Sequence, residues 1–179
     1  GAAASLADYS GTAKAAHIRD KEVEMIHLTE TLYACSLACS ADGSKLPCGS
    51  YYVNPLLANT SKQNVTRFIY EIARLSHDIA GGILATMPSE VDFNDPKLGP
   101  YVKKYLKTAK DVSVEDRYRM LRLLENMTGG TALVESMHGA GSPQAQRVML
   151  TRQANLERKK KLAQRLAGIE EEQKEKKDV

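Results

Sequence analysis

Tryptophan is absent from the 179 residues, phenylalanine occurs only twice, and aromatic residues make up just 6%. A core with so few large rings must rest on aliphatic packing, and abundant Ala, Leu, Glu, Lys and Arg favour helices as its source. Cysteine is scarce as well. Three residues, an odd number, make no disulfide framework and point to a reducing, cytoplasmic setting. No apolar run approaches the roughly 20 residues needed to cross a bilayer. The first residues lack the basic region and apolar core of a secretory signal. Neither sign of charge dominates: 25 Lys and Arg against 22 Asp and Glu leave +3, too little to draw nucleic acid or an acidic membrane. No Gly-x-Gly-x-x-Gly follows a strand pattern and no phosphate-loop motif occurs, so Rossmann and nucleotide-hydrolase readings have no support. The chain opens without Met, at Gly1-Ala2-Ala3-Ala4-Ser5-Leu6, in a pattern that reads as the interior of a helix.

What is present is helical periodicity. Met25, Leu28, Leu32, Cys35 and Cys39 recur at steps of three and four and predict a helix over about 12–40. Val23, Ile26, Tyr33 and Leu37 add a second apolar face, which another chain or domain would cover. Ala41-Asp42-Gly43 stops this helix, and residues 43–55 read as a loop. A second helix over about 56–86 carries Val65, Phe68, Ile72, Leu75 and Ile79, interrupted at Gly81-Gly82. Met87-Pro88 ends it, and a short helix follows near Tyr101–Lys107. Ser113-x-x-Asp116 resembles a capping box with Asp in place of Glu. It opens a helix striped by Met120, Leu121, Leu124 and Met127, loosened at Gly129-Gly130. A last helix runs from Pro143 to about Ala167, with Gly168 as its stop. Residues 170–178 are charged except Gln173. No strand alternation or internal repeat is visible. The expectation is an all-α helical bundle over 1–168 with a charged tail over 169–179.

The densest chemistry lies in Glu135-Ser-Met-His138-Gly-Ala-Gly-Ser142-Pro143-Gln-Ala-Gln-Arg147. Glu135 and His138 lie three apart, glycines follow, and Ser142-Pro143 is a favoured helix start. A carboxylate, an imidazole and free backbone N–H groups would converge there, fit for an anion or an acid/base pair. The plainer reading is a helix–turn–helix corner. Cys35-x-x-x-Cys39 could clip a metal with Cys48 or His27, yet both cysteines sit in an apolar stripe and suit a core. Glu24-x-x-His27 and Glu135-x-x-His138, with Glu71 and Glu125, contain the residue types of a di-iron carboxylate four-helix bundle, although their order along the chain does not match. Tyr101, Lys103, Lys104, Tyr105, Lys107 and Lys110 could meet the phosphates of an acyl-CoA or a flavin, or form a solvated helix face.

Several stretches together carry a family likeness: Ala7-Asp8-Tyr9-Ser10-Gly11, Lys62-Gln63-Asn64-Val65-Thr66-Arg67-Phe68, Asp78-Ile79-Ala80-Gly81-Gly82, Met87-Pro88-Ser89-Glu90, and Glu135 through Arg147. From Ala7 to Gly168 the chain resembles the C-terminal part of the 4-hydroxyphenylacetate 3-hydroxylase-like flavoprotein family, in its 4-hydroxybutyryl-CoA dehydratase/vinylacetyl-CoA isomerase branch. The resemblance implies the helical last domain of an acyl-CoA-dehydrogenase-like enzyme, with FAD between it and the upstream domains of a homotetramer. It implies an acyl-CoA substrate, a ketyl-radical dehydration to crotonyl-CoA, and a [4Fe-4S] cluster. The cluster's three Cys and one His align before Gly1, so Cys35, Cys39 and Cys48 do not match them. This chain then reads as a fragment or split subunit, inactive alone. Glu135 matches an active-site Glu suited to acid/base work. Arg67 could pair with the flavin pyrophosphate, its planar donors suiting phosphate, or be a surface charge beside Glu71. Tyr9, His77, Ala80, Gly81 and Gly82 fall at FAD-contacting positions. An aromatic hydroxylase of the same family is the alternative reading.

Overall fold

A computed structural model of the chain describes residues 1–109, 111–139 and 141–169, so Lys110, Ala140 and the charged stretch from 170 onward lie outside it. Two long helices form its spine. α1 (Ala2–Tyr9) is a short opening helix, and α2 (Ala16–Ala41) stops at Asp42 as the sequence implies. α3 (Pro55–Ile79) returns antiparallel along α2. The segment between them is not wholly loop. Ser44–Lys45 (β1) and Tyr51–Tyr52 (β2) form a two-stranded antiparallel hairpin, too short for any alternation to show in sequence. Asn54 joins the two helices. Its Oδ1 accepts from Leu57 N at the start of α3, its Nδ2 donates to Asp42, and its N–H donates to Cys39 O. Pro55 at the first helical position adds a preset φ.

α3 ends at Ile79 instead of continuing to 86. Gly81 and Gly82 both take positive φ, which no helix accommodates, and the chain re-forms only as a 3-10 turn over Ile83–Thr86. Next come α4 (Glu90–Asn94), started by a Ser89–Asp92 capping box, and α5 (Gly99–Leu106). α6 (Val114–Gly129) begins at Ser113, whose hydroxyl accepts from Asp116 N. Its predicted stripe holds at Leu121 and Leu124, while Met127 is exposed and Tyr118 and Thr128 are buried instead. α7 (Thr131–His138) and α8 (Pro143–Gln153) follow. The final helix splits: Asn155 takes φ +42, breaks the run, and its side chain caps α9 (Leu156–Leu166) through Arg158 N. Gly168, at φ +70, ends the described helices as a left-handed stop.

Two clusters make the core. Leu6, Phe93, Leu106, Tyr118, Leu121 and Leu124 join α1, α4, α5 and α6, with Phe93 stacked on Tyr118 at 4.2 Å between ring centroids. Ala3, Ala7, Ile18 and Ile79 tie α1 to α2 and the end of α3. The first stripe of α2 packs inward, with Leu28 buried and Met25, Leu32, Cys35 and Cys39 half-buried. Its second face, Val23, Ile26, Tyr33 and Leu37, is uncovered among the described residues. No helix among the described residues is long and apolar enough to cross a membrane.

Candidate functional site

The predicted residues fall into two groups at different heights on α3. At its C-terminal end, His77 Nε2 lies 2.6 Å from Thr128 Oγ1, and that hydroxyl donates its own proton to Leu124 O. Nε2 is therefore the donor in the His77 pair, and in the Nε2–H tautomer Nδ1 is the acceptor. Gly82 N donates to His77 O, and Gly81 N to Asp78 O, closing the helix end. Both glycines are exposed, with φ +76 and +73 and no atom within 4 Å of where a Cβ would stand. They present bare backbone that a planar ligand can approach closely. Tyr9 and Ala80 are half-buried against the same cluster of Leu6, Phe93 and Leu121. Asp78 is held by Lys21 of α2 at 2.7 Å, and that ammonium keeps its carboxyl below the usual carboxylate range. An apolar cavity of about 280 Å³ shares Thr128 with this end and is lined further by Leu32, Val65, Ile72, Leu124 and Met127.

The second group is the α7–α8 corner, about 15 Å away along the axis of α3. Stretch 62–68 of α3 holds it. Lys62 Nζ donates to Ser136 O at 2.7 Å. Gln63, buried, donates to Pro143 O and to Gln146 Oε1, and Gln146 donates back to Gly141 O. Tyr70 OH reaches Leu133 O at 3.2 Å. Ser142 caps α8 as expected, its hydroxyl accepting from Ala145 N. Two stretches far apart in sequence thus meet as one polar seam. Neither Lys62 nor Gln63 stands out as a site residue in sequence. The sequence marks them only as the opening of the Lys62–Phe68 stretch that carries the family likeness.

Glu135 lies on α7 and is exposed, and its carboxylate has no hydrogen-bond or ion-pair partner among the described residues. Gly139 N donates to Glu135 O, and a Cβ at 139 would stand 2.7 Å from that oxygen, so glycine is required there. The convergence expected at the start of α8 is only partial. Ser142 occupies one of the free N–H groups of α8, and Glu135 and His138 sit on the preceding helix, both exposed. What faces the start of α8 is Arg67. It lines an open groove of about 430 Å³ with Gln63, Thr66, Met137, Ser142, Pro143 and Arg147. Arg67 is not the partner of Glu71, which pairs with Arg74 and is held below the usual carboxylate range by it.

The metal readings find no geometry. Among the described residues, no three His, Cys, Asp or Glu come together as a ligand set. Glu71 is committed to Arg74, Glu125 to Arg122, and Glu24 and His27 face solvent from α2, so the four carboxylates and two imidazoles of a di-iron site do not meet. Cys39 donates to Ser36 O and Cys35 accepts from Asn64, while Cys48 is exposed in the hairpin. In the basic segment, Lys103 pairs with Glu115 and lies over the Phe93 ring, and Tyr101 and Tyr105 are exposed. Lys110 lies outside the described residues.

Comparison with known proteins bears on this arrangement. Residues 1–168 match the family model described as 4-hydroxyphenylacetate 3-hydroxylase C terminal. The chain is 51% identical over 181 residues to a 4-hydroxybutyryl-CoA dehydratase/vinylacetyl-CoA-Delta-isomerase of Clostridium aminobutyricum, covering 94% of this chain and 37% of that protein. It therefore spans little more than a third of the curated relative it matches. A solved archaeal 4-hydroxybutyryl-CoA dehydratase from N. maritimus superposes with TM-score 0.90 at 53% identity, over 99% of this chain and 36% of that one. The oxygenase component of 4-hydroxyphenylacetate 3-monooxygenase, solved with FAD, shares the fold at TM-score 0.81 and 24% identity, over 92% of this chain and 35% of that one. The fold is the acyl-CoA-dehydrogenase-like helical domain of these proteins. The chain belongs to the 4-hydroxyphenylacetate 3-hydroxylase C-terminal family.

Proposed function

We propose that this chain is the C-terminal helical part of a flavin-dependent 4-hydroxybutyryl-CoA dehydratase/vinylacetyl-CoA isomerase, acting on an acyl-CoA when joined to upstream domains. One observation carries the reading. Identity to proteins of that name is 51–53% across nearly the whole chain, against 24% for the oxygenase component. The assembly implied is a cytoplasmic homotetramer.

The residues at the end of α3 fit FAD. Bare backbone at Gly81-Gly82, with open space where side chains would stand, admits a flat ring. Beside it, His77 offers Nδ1 as acceptor, and Tyr9 and Ala80 form part of the wall. Arg67, joined in its groove by Arg147, suits the pyrophosphate, and an extended dinucleotide reaches both groups. When bound, the flavin supplies one-electron chemistry. No such fit exists here for the [4Fe-4S] cluster, whose ligands this reading assigns to the upstream domains, and no step is derived through it.

Glu135 is the acid/base in this reading. Dehydration of 4-hydroxybutyryl-CoA needs a proton taken from carbon and a proton delivered to the departing hydroxyl. Isomerisation of vinylacetyl-CoA needs one removed and one returned elsewhere on the same skeleton. A carboxylate without an internal partner, on a helix pinned by Lys62 and Tyr70, is free to do either once neighbouring domains close over it. The test assays the full-length protein on 4-hydroxybutyryl-CoA, vinylacetyl-CoA and 4-hydroxyphenylacetate. Crotonyl-CoA from both thioesters supports the reading, and hydroxylation of the phenol in their place overturns it in favour of the aromatic hydroxylase. Residues 1–179 purified alone should turn over none of the three.

A further inference from the structure

One imidazole at the end of α3 has a single nitrogen committed. His77 is half-buried, its Nε2 lies 2.6 Å from Thr128 Oγ1, and its Nδ1 has no partner among the described residues. Thr128 sits in the last turn of α6, where the helix itself gains nothing from a hydroxyl. It is only 8% exposed, and its side chain bonds back to Leu124 O at 2.7 Å. Back-bonding of this kind slightly destabilises a helix and often bends it. Around Thr128 the cavity wall is apolar, with Leu32, Val65, Ile72, Leu124 and Met127. The one polar side chain that uses the hydroxyl is His77.

A hydroxyl has one proton. Thr128 gives it to Leu124 O, so toward His77 it can only accept, and the proton between the two rests on Nε2. While that bond holds, the neutral tautomer with its proton on Nδ1 is excluded. The bond also fixes how the ring is turned. Rotation about the histidine Cβ–Cγ bond is broad and roughly twofold, and a ring turned over would carry Nε2 away from Thr128. His77 is thus held in one orientation, with Nδ1 as its acceptor when neutral. The backbone donors beside it are already used, Gly81 N by Asp78 O and Gly82 N by His77 O.

We infer that Thr128 is a positioning residue for cofactor binding: its hydroxyl orients His77 and holds the Nε2–H tautomer, so that Nδ1 accepts from an N–H or O–H of the flavin nucleotide. FAD carries such donors in the imide of its flavin ring, the amine of adenine and the hydroxyls of its ribityl and ribose. The role rests on the flavin reading given above and adds to it a residue that acts through His77, from a helix 51 positions further along the chain.

Equilibrium binding of FAD to the full-length apoprotein, followed by quenching of flavin fluorescence, tests this. Thr128→Val should raise the Kd by about threefold to tenfold, the worth of one hydrogen bond. Thr128→Ser keeps the hydroxyl and should bind like the wild type. His77→Phe should weaken binding at least as much as Thr128→Val, and combining the two should add nothing, because they act as one unit. Thermal unfolding of each variant guards against a loss of folding, and Thr128→Ala removes the same acceptor should valine not be tolerated. If Thr128→Val weakens binding as much in the His77→Phe background as in the wild type, Thr128 acts through the packing of α6 and the inference is overturned. A serine variant as weak as the valine one overturns it too. Wild-type affinity in His77→Phe would instead remove the flavin contact at His77, and a full-length protein that takes up no FAD would remove the flavin reading as a whole. In either case Thr128 loses this role.

Discussion

At the C-terminal end of α3, His77, Ala80 and the Gly81-Gly82 turn rest on a buried apolar cluster shared by α1, α4, α5 and α6. About 15 Å down the same helix, the α7–α8 corner rests on polar contacts: Lys62 to Ser136, Tyr70 to Leu133, and Gln63 between Pro143 and Gln146. One region is complete in its own packing and offers bare backbone. The other is held in place yet leaves Glu135 and Arg67 open to solvent. In the proposed reading, the difference separates two ways of building half a site. A cofactor wall can be preformed by the core, whereas an acid/base group gains its environment only when another domain closes over it.

Three changes should separate the two regions. Gln63→Leu should have the largest effect on stability, about 1–3 kcal/mol, because it leaves the buried Gln146 Oε1 and the Pro143 carbonyl without their donor. Urea unfolding measures the loss, and hydrogen exchange should quicken over 141–147 while the end of α3 stays protected. Equal loosening at both ends would erase the distinction. Gly82→Ala should cost about 1–2 kcal/mol through backbone strain alone, since the position is open and its φ is +73. Gly82→Asn should cost less, because Asn tolerates that conformation better. In the flavin-loaded full-length protein both should lower flavin retention and leave the corner's exchange unchanged.

Acid should give the smallest effect, acting through paired carboxyls that lie outside the α7–α8 corner. Lys21 holds the Asp78 carboxyl, and Lys103 the Glu115 carboxyl, below their ordinary values. For carboxyls depressed in the folded state, the stabilisation is complete above the unfolded range of about 4 and lost as pH falls through the folded values. The corner's contacts are amides, a phenol, a lysine and carbonyls, with no carboxyl among them. Hydrogen exchange, corrected for its intrinsic pH dependence, should show the α3 end opening first as pH falls from neutral to about 3. The shift should be modest because both bridges are partly open to solvent.

Much of this was legible in the sequence. The stripe from Val65 to Ile79, the Asp42 stop, the Ser113 and Ser142 caps and the glycine pair all act locally, so their residue types announce them. What escaped depends on distant partners or on single backbone choices. Asn155 splits the last helix by adopting a left-handed conformation that Asn reaches only when the surroundings favour it. Met127 sits on the apolar stripe of α6 yet is exposed, because the facing surface is a cavity. The Ala-rich opening reads as helix and is α1, whereas α4 hides in five residues, its capping box at Ser89–Asp92 too short to show a periodicity. In the candidate site, residue types and the family likeness propose Glu135 and the glycines. They could not show that Lys62 and Gln63 hold the corner, since that link joins positions some 74 and 80 residues apart.

The central claim is that Glu135 is the acid/base of an acyl-CoA dehydratase and isomerase, carried on a corner that only positions it. Glu135→Gln in the full-length, cofactor-loaded enzyme tests it most directly, with crotonyl-CoA formation as the readout. The amide keeps shape and hydrogen bonding but cannot carry the proton. Turnover of 4-hydroxybutyryl-CoA and vinylacetyl-CoA should both fall by about 10²–10⁴-fold with the visible spectrum of the bound cofactors unchanged. A fall of less than about tenfold with cofactors retained is too small for that role and would contradict the account.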